Sequence, residues 1–217
     1  MEGIIYKVQP YQEHGRLLFT YTPQGKFTLL AQGAQKMNQG SRILAQFLTK
    51  ISFAEGRKSF IPLQDGKIIN DYHHIKDDFF QTKSAALILE IIDHLVVDNQ
   101  NHGLIYQEVM LALDHDHLEV IALSFALKML KELGYGLDLS PDGRPIKGVS
   151  IERGSLIYQD DNIPIDLEIK DAIVLLKLSV MPYDVLQHES FEDLSKIKDF
   201  ILKYYSFHLQ TTLKNLQ

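Results

Sequence analysis

Residues 16–31 read Arg-Leu-Leu-Phe-Thr-Tyr-Thr-Pro-Gln-Gly-Lys-Phe-Thr-Leu-Leu-Ala. Arg16 to Thr22 is rich in aromatic and β-branched residues, and Pro23-Gln24-Gly25 supplies turn chemistry. In Lys26 to Ala31, Phe27, Leu29 and Ala31 share one face while Lys26, Thr28 and Leu30 share the other. This is strand, turn and strand, and the same grammar extends outward. Upstream, Gly3 to Val8 is a brief apolar stretch. Downstream, Gln32 to Ser41, with Gly33, Lys36, Asn38 and Gly40, reads as a loop. Phe47, Thr49, Ile51 and Phe53 alternate again, Glu55-Gly56 makes a turn, and Arg57 to Pro62 gives a partner strand. Asp65-Gly66 is a further hairpin signal before Lys67 to Asn70. Five or six short strands in roughly 70 residues suit a small barrel or a sandwich, and periodicity leaves that choice open.

From Ile75 the period becomes that of a helix. Phe80, Leu87, Ile91 and Leu95 form one stripe, widened by Ile88 and Ile92. Leu104 to Leu113 predicts a second helix. Leu118, Ile121, Ala122, Phe125, Met129, Leu130 and Leu133 mark a third, ended by Gly134. Residues 135–164 break the pattern with Pro141, Asp142-Gly143, Pro145, Gly148 and Gly154, and hold β-like Val149 to Ile151 and Leu156 to Tyr158. Helical spacing returns from Leu167 to Val180. A last helix is expected from Ser190, with Asp193 at N-cap-like spacing and Leu194, Ile197, Ile201, Tyr204 and His208 on its apolar face. The expectation is an α+β chain of two domains: a β domain over 1–74, then an all-helical domain over 75–217 with an irregular, hairpin-like insertion at 135–164.

Composition narrows the function classes. The chain has 217 residues, 45% hydrophobic and 23% charged, which excludes disorder and rod-like repeats as its main architecture. No apolar run reaches the ~18 residues of a membrane span. Met1 to Tyr11 lacks a basic segment followed by an apolar run, so no secretory signal is expected. Zero cysteines exclude disulfides, thiolate nucleophiles and cysteine-ligated zinc, and fit a cytoplasmic protein. The net charge of −6 hides an asymmetry. Residues 1–60 carry eight Lys/Arg against Glu2, Glu13 and Glu55, so a basic head precedes an acidic body.

Catalytic chemistry is not expected. Asp114-His115-Asp116-His117 is the densest set of metal-ligating side chains, but no H-E-x-x-H or comparable spacing accompanies it. It reads as a helix–helix turn in which Asp114 or Asp116 caps the helix starting at Leu118. A metal-dependent hydrolase built on His115, Asp116 and His117 is the remote alternative. His73-His74 reads as solvated. There is no G-x-S-x-G elbow and no phosphate-cradling glycine loop, so no cofactor is implied. Binding is better supported. Lys36 and Arg42 in a polar loop are candidate phosphate contacts, joined by Arg16, Lys50, Lys7 and Lys26 from strands. Phe19, Tyr21, Phe27 and Phe53 lie near them as stacking candidates, of which at least half should instead fill the β core. Arg57 and Lys58 rank lower, as a solvated turn-flanking pair.

The order of these features resembles the bacterial RecO family of DNA repair and recombination proteins. The likeness begins with Gly3-Ile4-Ile5-Tyr6-Lys7-Val8-Gln9-Pro10-Tyr11 and continues through Gln12-Glu13-His14-Gly15-Arg16-Leu17-Leu18 and Thr22-Pro23-Gln24-Gly25-Lys26-Phe27. Ala31-Gln32-Gly33-Ala34-Gln35-Lys36, followed by Ser41-Arg42, resembles the family's A-x-G-A-[RQ]-K loop. Leu130-Lys131-Glu132-Leu133-Gly134-Tyr135 is similar to the helix end before the family's insertion. Phe200 to Tyr205, His208-Leu209 and Leu213-Lys214 resemble its closing helix.

The resemblance implies an N-terminal OB-fold, a helical C-terminal domain and a non-catalytic activity. That activity is binding single- and double-stranded DNA, annealing strands, and helping RecR load RecA onto DNA coated by SSB. The SSB C-terminal tail would sit in a groove of the helical body, with Lys131, Lys177 and Lys203 as rim candidates. The setting would be the bacterial cytoplasm, at the nucleoid. Two departures stand out. Gly136 to Ile163 lacks the four cysteines that hold zinc in many members, and Gln32 and Gln35 stand where the family often places Arg or Lys, which lowers the expected charge of that face. The alternative is an OB-fold adaptor that binds proteins only.

Overall fold

The computed structural model describes residues 1–33, 39–56 and 60–217, with backbone alone for 39–41. Two compact units are present, Met1–Met110 and Leu111–Gln217. The change of period near residue 75 and the division into compact units thus fall at different places, because the first helices of the chain join the strands.

In the first unit six strands form one curled sheet in the order β5-β3-β2-β1-β4-β6. They are β1 (Glu2–Tyr11), β2 (Gly15–Thr22), β3 (Gly25–Ala31), β4 (Lys50–Ser52), β5 (Phe60–Pro62) and β6 (Lys67–Asn70). All described pairings are antiparallel except β3–β5, which is parallel with Thr28 opposite Phe60. The β2–β3 turn works as its residues predict. Gly25 sits at φ 117°, the Gln24 N–H donates to Thr22 Oγ1 (3.1 Å), and that hydroxyl donates to the Gly25 carbonyl (2.9 Å). A register shift in β1 between Ile5 and Lys7 bends the longest strand and favours curling. The concave face buries Ile5, Leu18, Leu29, Ala31, Ala45, Ile51, Phe53 and Ile61, with Phe27 packed at its margin.

Two expectations fail here. Gln39–Leu44 is a helix, α1, where the glycines and Asn38 predict a loop through Ser41. The next residues explain it: Leu44 packs on the sheet core and Ala45 is fully buried, so tertiary burial overrides weak local propensity. The alternation from Phe47 to Phe53 is strand only at Lys50–Ser52. Leu48 adopts φ 54°, a left-handed conformation uncommon for a bulky residue, and is fully buried.

Three helices complete this unit's chain: α2 (His73–Lys76), α3 (Phe79–Leu95) and α4 (His102–Leu113), with Met110 in the last of these closing the unit. Asp78 caps α3, accepting from the N–H groups of Phe80 (2.7 Å) and Gln81 (2.9 Å). Ala85, Leu87, Ile88, Leu89, Ile91 and Ile92 are buried. Phe80, expected on the same buried stripe, is 75% exposed and meets Phe79 edge-on. Periodicity gives the direction of an apolar stripe, not the point along the axis where its cover begins.

The second unit holds α5 (Leu118–Glu132), a three-stranded sheet in the order β8-β7-β9, and α6 (Ile169–Val180), α7 (Tyr183–Leu186) and α8 (Ser195–Leu209). The strands are β7 (Ile146–Ser150), β8 (Ser155–Tyr158) and β9 (Leu167–Glu168), so the insertion holds the expected hairpin plus a third strand beyond its edge. Gly134 ends α5 at φ 84°, its N–H bonding the Lys131 carbonyl (3.1 Å) and that of Tyr135 the Leu130 carbonyl (2.8 Å), a Schellman closure. Pro182 has no N–H for the Leu178 carbonyl at the end of α6; the buried Ser124 hydroxyl donates to it instead (2.6 Å). The N-cap position of α5 is His117, not Asp114 or Asp116. Helix α8 begins at Ser195 rather than Ser190, because Asp193 captures both the N–H and the hydroxyl of Ser195 (2.8 and 2.9 Å).

Candidate functional site

Among the described residues, the basic side chains of the first sixty positions fall into separate settings. Lys7 on β1 and Lys26 on β3 converge on the end of α3. Lys7 Nζ pairs with the Asp93 carboxylate at 3.0 Å, and Lys26 Nζ donates to the Asp93 carbonyl at 2.9 Å. Each also approaches an aromatic ring, Phe19 at 5.5 Å for Lys7 and Tyr6 at 5.7 Å for Lys26. Burial pulls the Lys26 ammonium below the usual lysine range, with Asp93 opposing. Both contacts tie α3 to the sheet. Lys50 reaches diagonally across β1–β4 to Glu2 (3.4 Å). Arg42 is exposed in the last turn of α1. Lys36, Arg57 and Lys58 lie outside the described residues.

The aromatics divide similarly. Tyr21 is fully buried and Phe53 nearly so, while Phe19 and Phe27 are half-buried. The Tyr21 hydroxyl meets His102 Nδ1 at 3.2 Å, and burial raises its pKa. None of the four is a free platform.

Arg16 has a different setting. One guanidinium nitrogen donates to the Ala45 carbonyl (3.0 Å), and the side chain borders a groove of about 360 Å³ lined by Val8, Arg16, Ala45, Gln46, Phe47, Lys76 and Thr82. Phe47 and Lys76 escape the sequence reading. Phe47 passes there for a strand residue, and Lys76 belongs to the helical segment that follows the basic head. Lys76 on an exposed helix would be unremarked. Its signal is position, at the junction where the helical chain first returns to the strands.

In the second unit His115 Nδ1 lies 2.7 Å from the Leu111 carbonyl and its ring meets Tyr183 edge-on. Among the described residues no three His, Asp or Glu side chains converge on a metal-sized space. The zinc site implied for many members of the resembling family does not fit the insertion, which has no cysteine. A salt cluster ties the hairpin ends there. Arg144 pairs with Asp142 (2.8 Å), Asp160 (3.3 Å) and Asp161 (3.4 Å), its guanidinium lies 3.9 Å from the Tyr158 ring centroid, and Asp161 accepts from the Tyr158 N–H (2.9 Å). The hydrogen bond from Arg144 holds the Asp142 carboxyl below the usual carboxylate range.

Known proteins resemble this chain over part of its length. Residues 76–148 match the family model described as Recombination protein O C terminal. Curated proteins named DNA repair protein RecO are similar to the chain. The one from Bacillus cytotoxicus is 29% identical over 140 residues, 62% of this chain and 56% of the relative. That from Oceanobacillus iheyensis is 25% identical over 170 residues, 73% and 66% respectively. That from Clostridium perfringens is 30% identical over 142 residues, 62% and 58%. These matches take in between 56% and 66% of the curated relatives' own lengths. No helix among the described residues is long and apolar enough to cross a membrane.

Proposed function

We propose that the chain is a member of the RecO family and that it acts in recombinational DNA repair by binding single- and double-stranded DNA, without catalysing a reaction. The observation that carries this reading is the match to curated DNA repair proteins. The sheet supports it. Strand order β5-β3-β2-β1-β4, with β3 parallel to β5 and α1 between β3 and β4, favours an OB-fold, an architecture that binds single strands through cations and aromatic stacking. Annealing of complementary strands then needs no active site. A protein that neutralises phosphates on two strands lowers their repulsion and raises their local concentration. RecR and the SSB C-terminal tail are the proposed protein partners, the bacterial cytoplasm the setting and the nucleoid the place of action. The domains of that reading are 1–74, the OB-fold, and 75–217, the helical body.

Lys36 and Arg42 are the proposed loop phosphate contacts, with Arg16, Lys50, Lys7 and Lys26 as strand contacts. Fluorescence anisotropy of labelled single-stranded DNA over a salt series tests the assignment. Reversing Lys36 and Arg42 to Glu should weaken binding to every sequence and flatten the salt dependence by roughly 0.7 per lost phosphate contact. Unchanged affinity and slope would remove the pair from the interface. A second reading, an OB-fold adaptor for an acidic protein, is favoured by the capture of Lys7, Lys26 and Lys50 by partners within the unit. It takes over if the wild-type chain binds no DNA at low salt.

A further inference from the structure

The groove beside Arg16 carries a charge its surroundings do not cancel. Of the seven described residues lining it, two are cations, Arg16 and Lys76, and none is an acid. Arg16 satisfies one nitrogen on the Ala45 carbonyl, a neutral acceptor. Lys76 Nζ donates to a neutral acceptor as well, the Thr49 hydroxyl at 3.0 Å. Burial pulls the Lys76 ammonium below the usual range, and Asp71, itself bonded to His73, only partly opposes this. An anion seated in the groove would meet the positive charge of both side chains.

The remaining walls are Val8, Ala45, Thr82 and the half-buried ring of Phe47. The backbone that follows this ring is pinned to β1. Leu48, buried in its left-handed turn, donates its N–H to the Ile5 carbonyl (2.9 Å), and Ile5 returns its own N–H to the Thr49 carbonyl (3.0 Å). The segment carrying Phe47 is therefore clamped to β1 before any ligand arrives. Preorganisation of this kind lowers the entropic cost of binding.

We propose that this groove is a nucleotide subsite for single-stranded DNA, in which Arg16 and Lys76 hold one backbone phosphate and Phe47 stacks the adjoining base. The proposal rests on the DNA-binding reading above and adds Lys76 and Phe47 to it. A flat apolar ring beside paired cations matches the alternation of base and phosphate along a single strand. The exposed Gln46 at its lip offers amide donors and acceptors to any base edge, so the subsite does not select sequence.

The chain contains no tryptophan, so Phe47→Trp in the full-length protein installs one fluorophore without background. Titration with a short oligothymidylate at low salt should quench it. In that background Arg16→Gln with Lys76→Gln should weaken binding at least tenfold and reduce the salt slope by about 0.7, the share of one single-strand phosphate contact. Lys76→Arg should retain both. Because Lys76 also bonds Thr49, Gln46→Glu provides a test that leaves every described internal bond intact; it too should weaken binding. Quenching absent, or affinity unmoved by these changes, while labelled DNA still binds in the anisotropy assay overturns the subsite and spares the DNA reading. No DNA binding by the wild-type chain overturns both. Quenching by an acidic peptide but not by oligothymidylate reassigns the groove to a protein ligand.

Discussion

The six-stranded and three-stranded sheets of this chain differ in how their margins are closed. The larger curls around an apolar face on which Ile5, Leu18, Leu29 and Ile51 are wholly shielded from water. Its polar side chains are secondary ties at the margins. The smaller sheet has buried Val149 and Ile157 but is closed at its open end by Arg144 and three aspartates, all in contact with solvent. A sheet with a core of its own resists salt and pH; a hairpin closed by exposed charges follows them. The difference locates where a cysteine-free insertion spends its charge.

Cutting into the larger sheet should do the most damage. Leu29→Ala removes a fully buried side chain from the centre of its core and is expected to cost about 2–5 kcal/mol, read from the urea midpoint of the full chain. A loss under ~1 kcal/mol would mean that the face collapses around the cavity and is less tightly packed than described.

The smaller sheet has its own weak point at Gly148. A Cβ there would clash with the Leu167 carbonyl oxygen, a backbone atom of the adjacent strand β9. Gly148→Ala should cost roughly 1–3 kcal/mol through overpacking and should abolish amide protection at Leu167 and Glu168. Retained protection would show that β9 can shift without losing its pairing.

The least energetic change is the most diagnostic. Arg144→Gln should leave global stability nearly unchanged while loosening the β7–β8 ends, seen as faster amide exchange around Ile146 and Tyr158. The pH dependence has a definite sign. The folded Asp142 carboxyl titrates below its unfolded value, so the tie is complete above the ordinary carboxylate range and is lost as pH falls through the depressed folded value. NMR shifts of the hairpin amides should therefore differ between wild type and variant at neutral pH and merge in acid. Differences that persist in acid would assign the closure to the stacking of Arg144 on Tyr158 rather than to charge.

Much of this architecture is legible in the sequence, for identifiable reasons. Strand alternation and the Pro23-Gln24-Gly25 turn are local signals, and so is the glycine that ends α5. Helix α1 is not local, since it exists because Leu44 and Ala45 meet the sheet core. The start of α8 is missed because Asp193 and Ser195 outcompete an equally plausible cap at Ser190. Charge counting finds the basic excess of residues 1–60 but not its fate, because Asp93 arrives from a helix later in the chain to take Lys7 and Lys26. The groove is hidden for the same reason. Val8, Arg16, Phe47, Lys76 and Thr82 belong to four separate stretches, and no periodicity couples them.

The parallel pairing of β3 with β5 bears on the order of assembly. Thr28 meets Phe60, and Glu2 at the start of the chain meets Ser52, so the sheet's two outer additions require large loops to close before they return any contact. The β1–β2–β3 meander, by contrast, is stitched between near neighbours. It is the natural first-formed segment, whereas β4, β5 and the clamped turn at Leu48 belong to a later, slower stage. The ring of Phe47 would then reach its place only after the sheet has closed, and a ribosome-bound chain truncated before residue 60 would hold the meander without the groove.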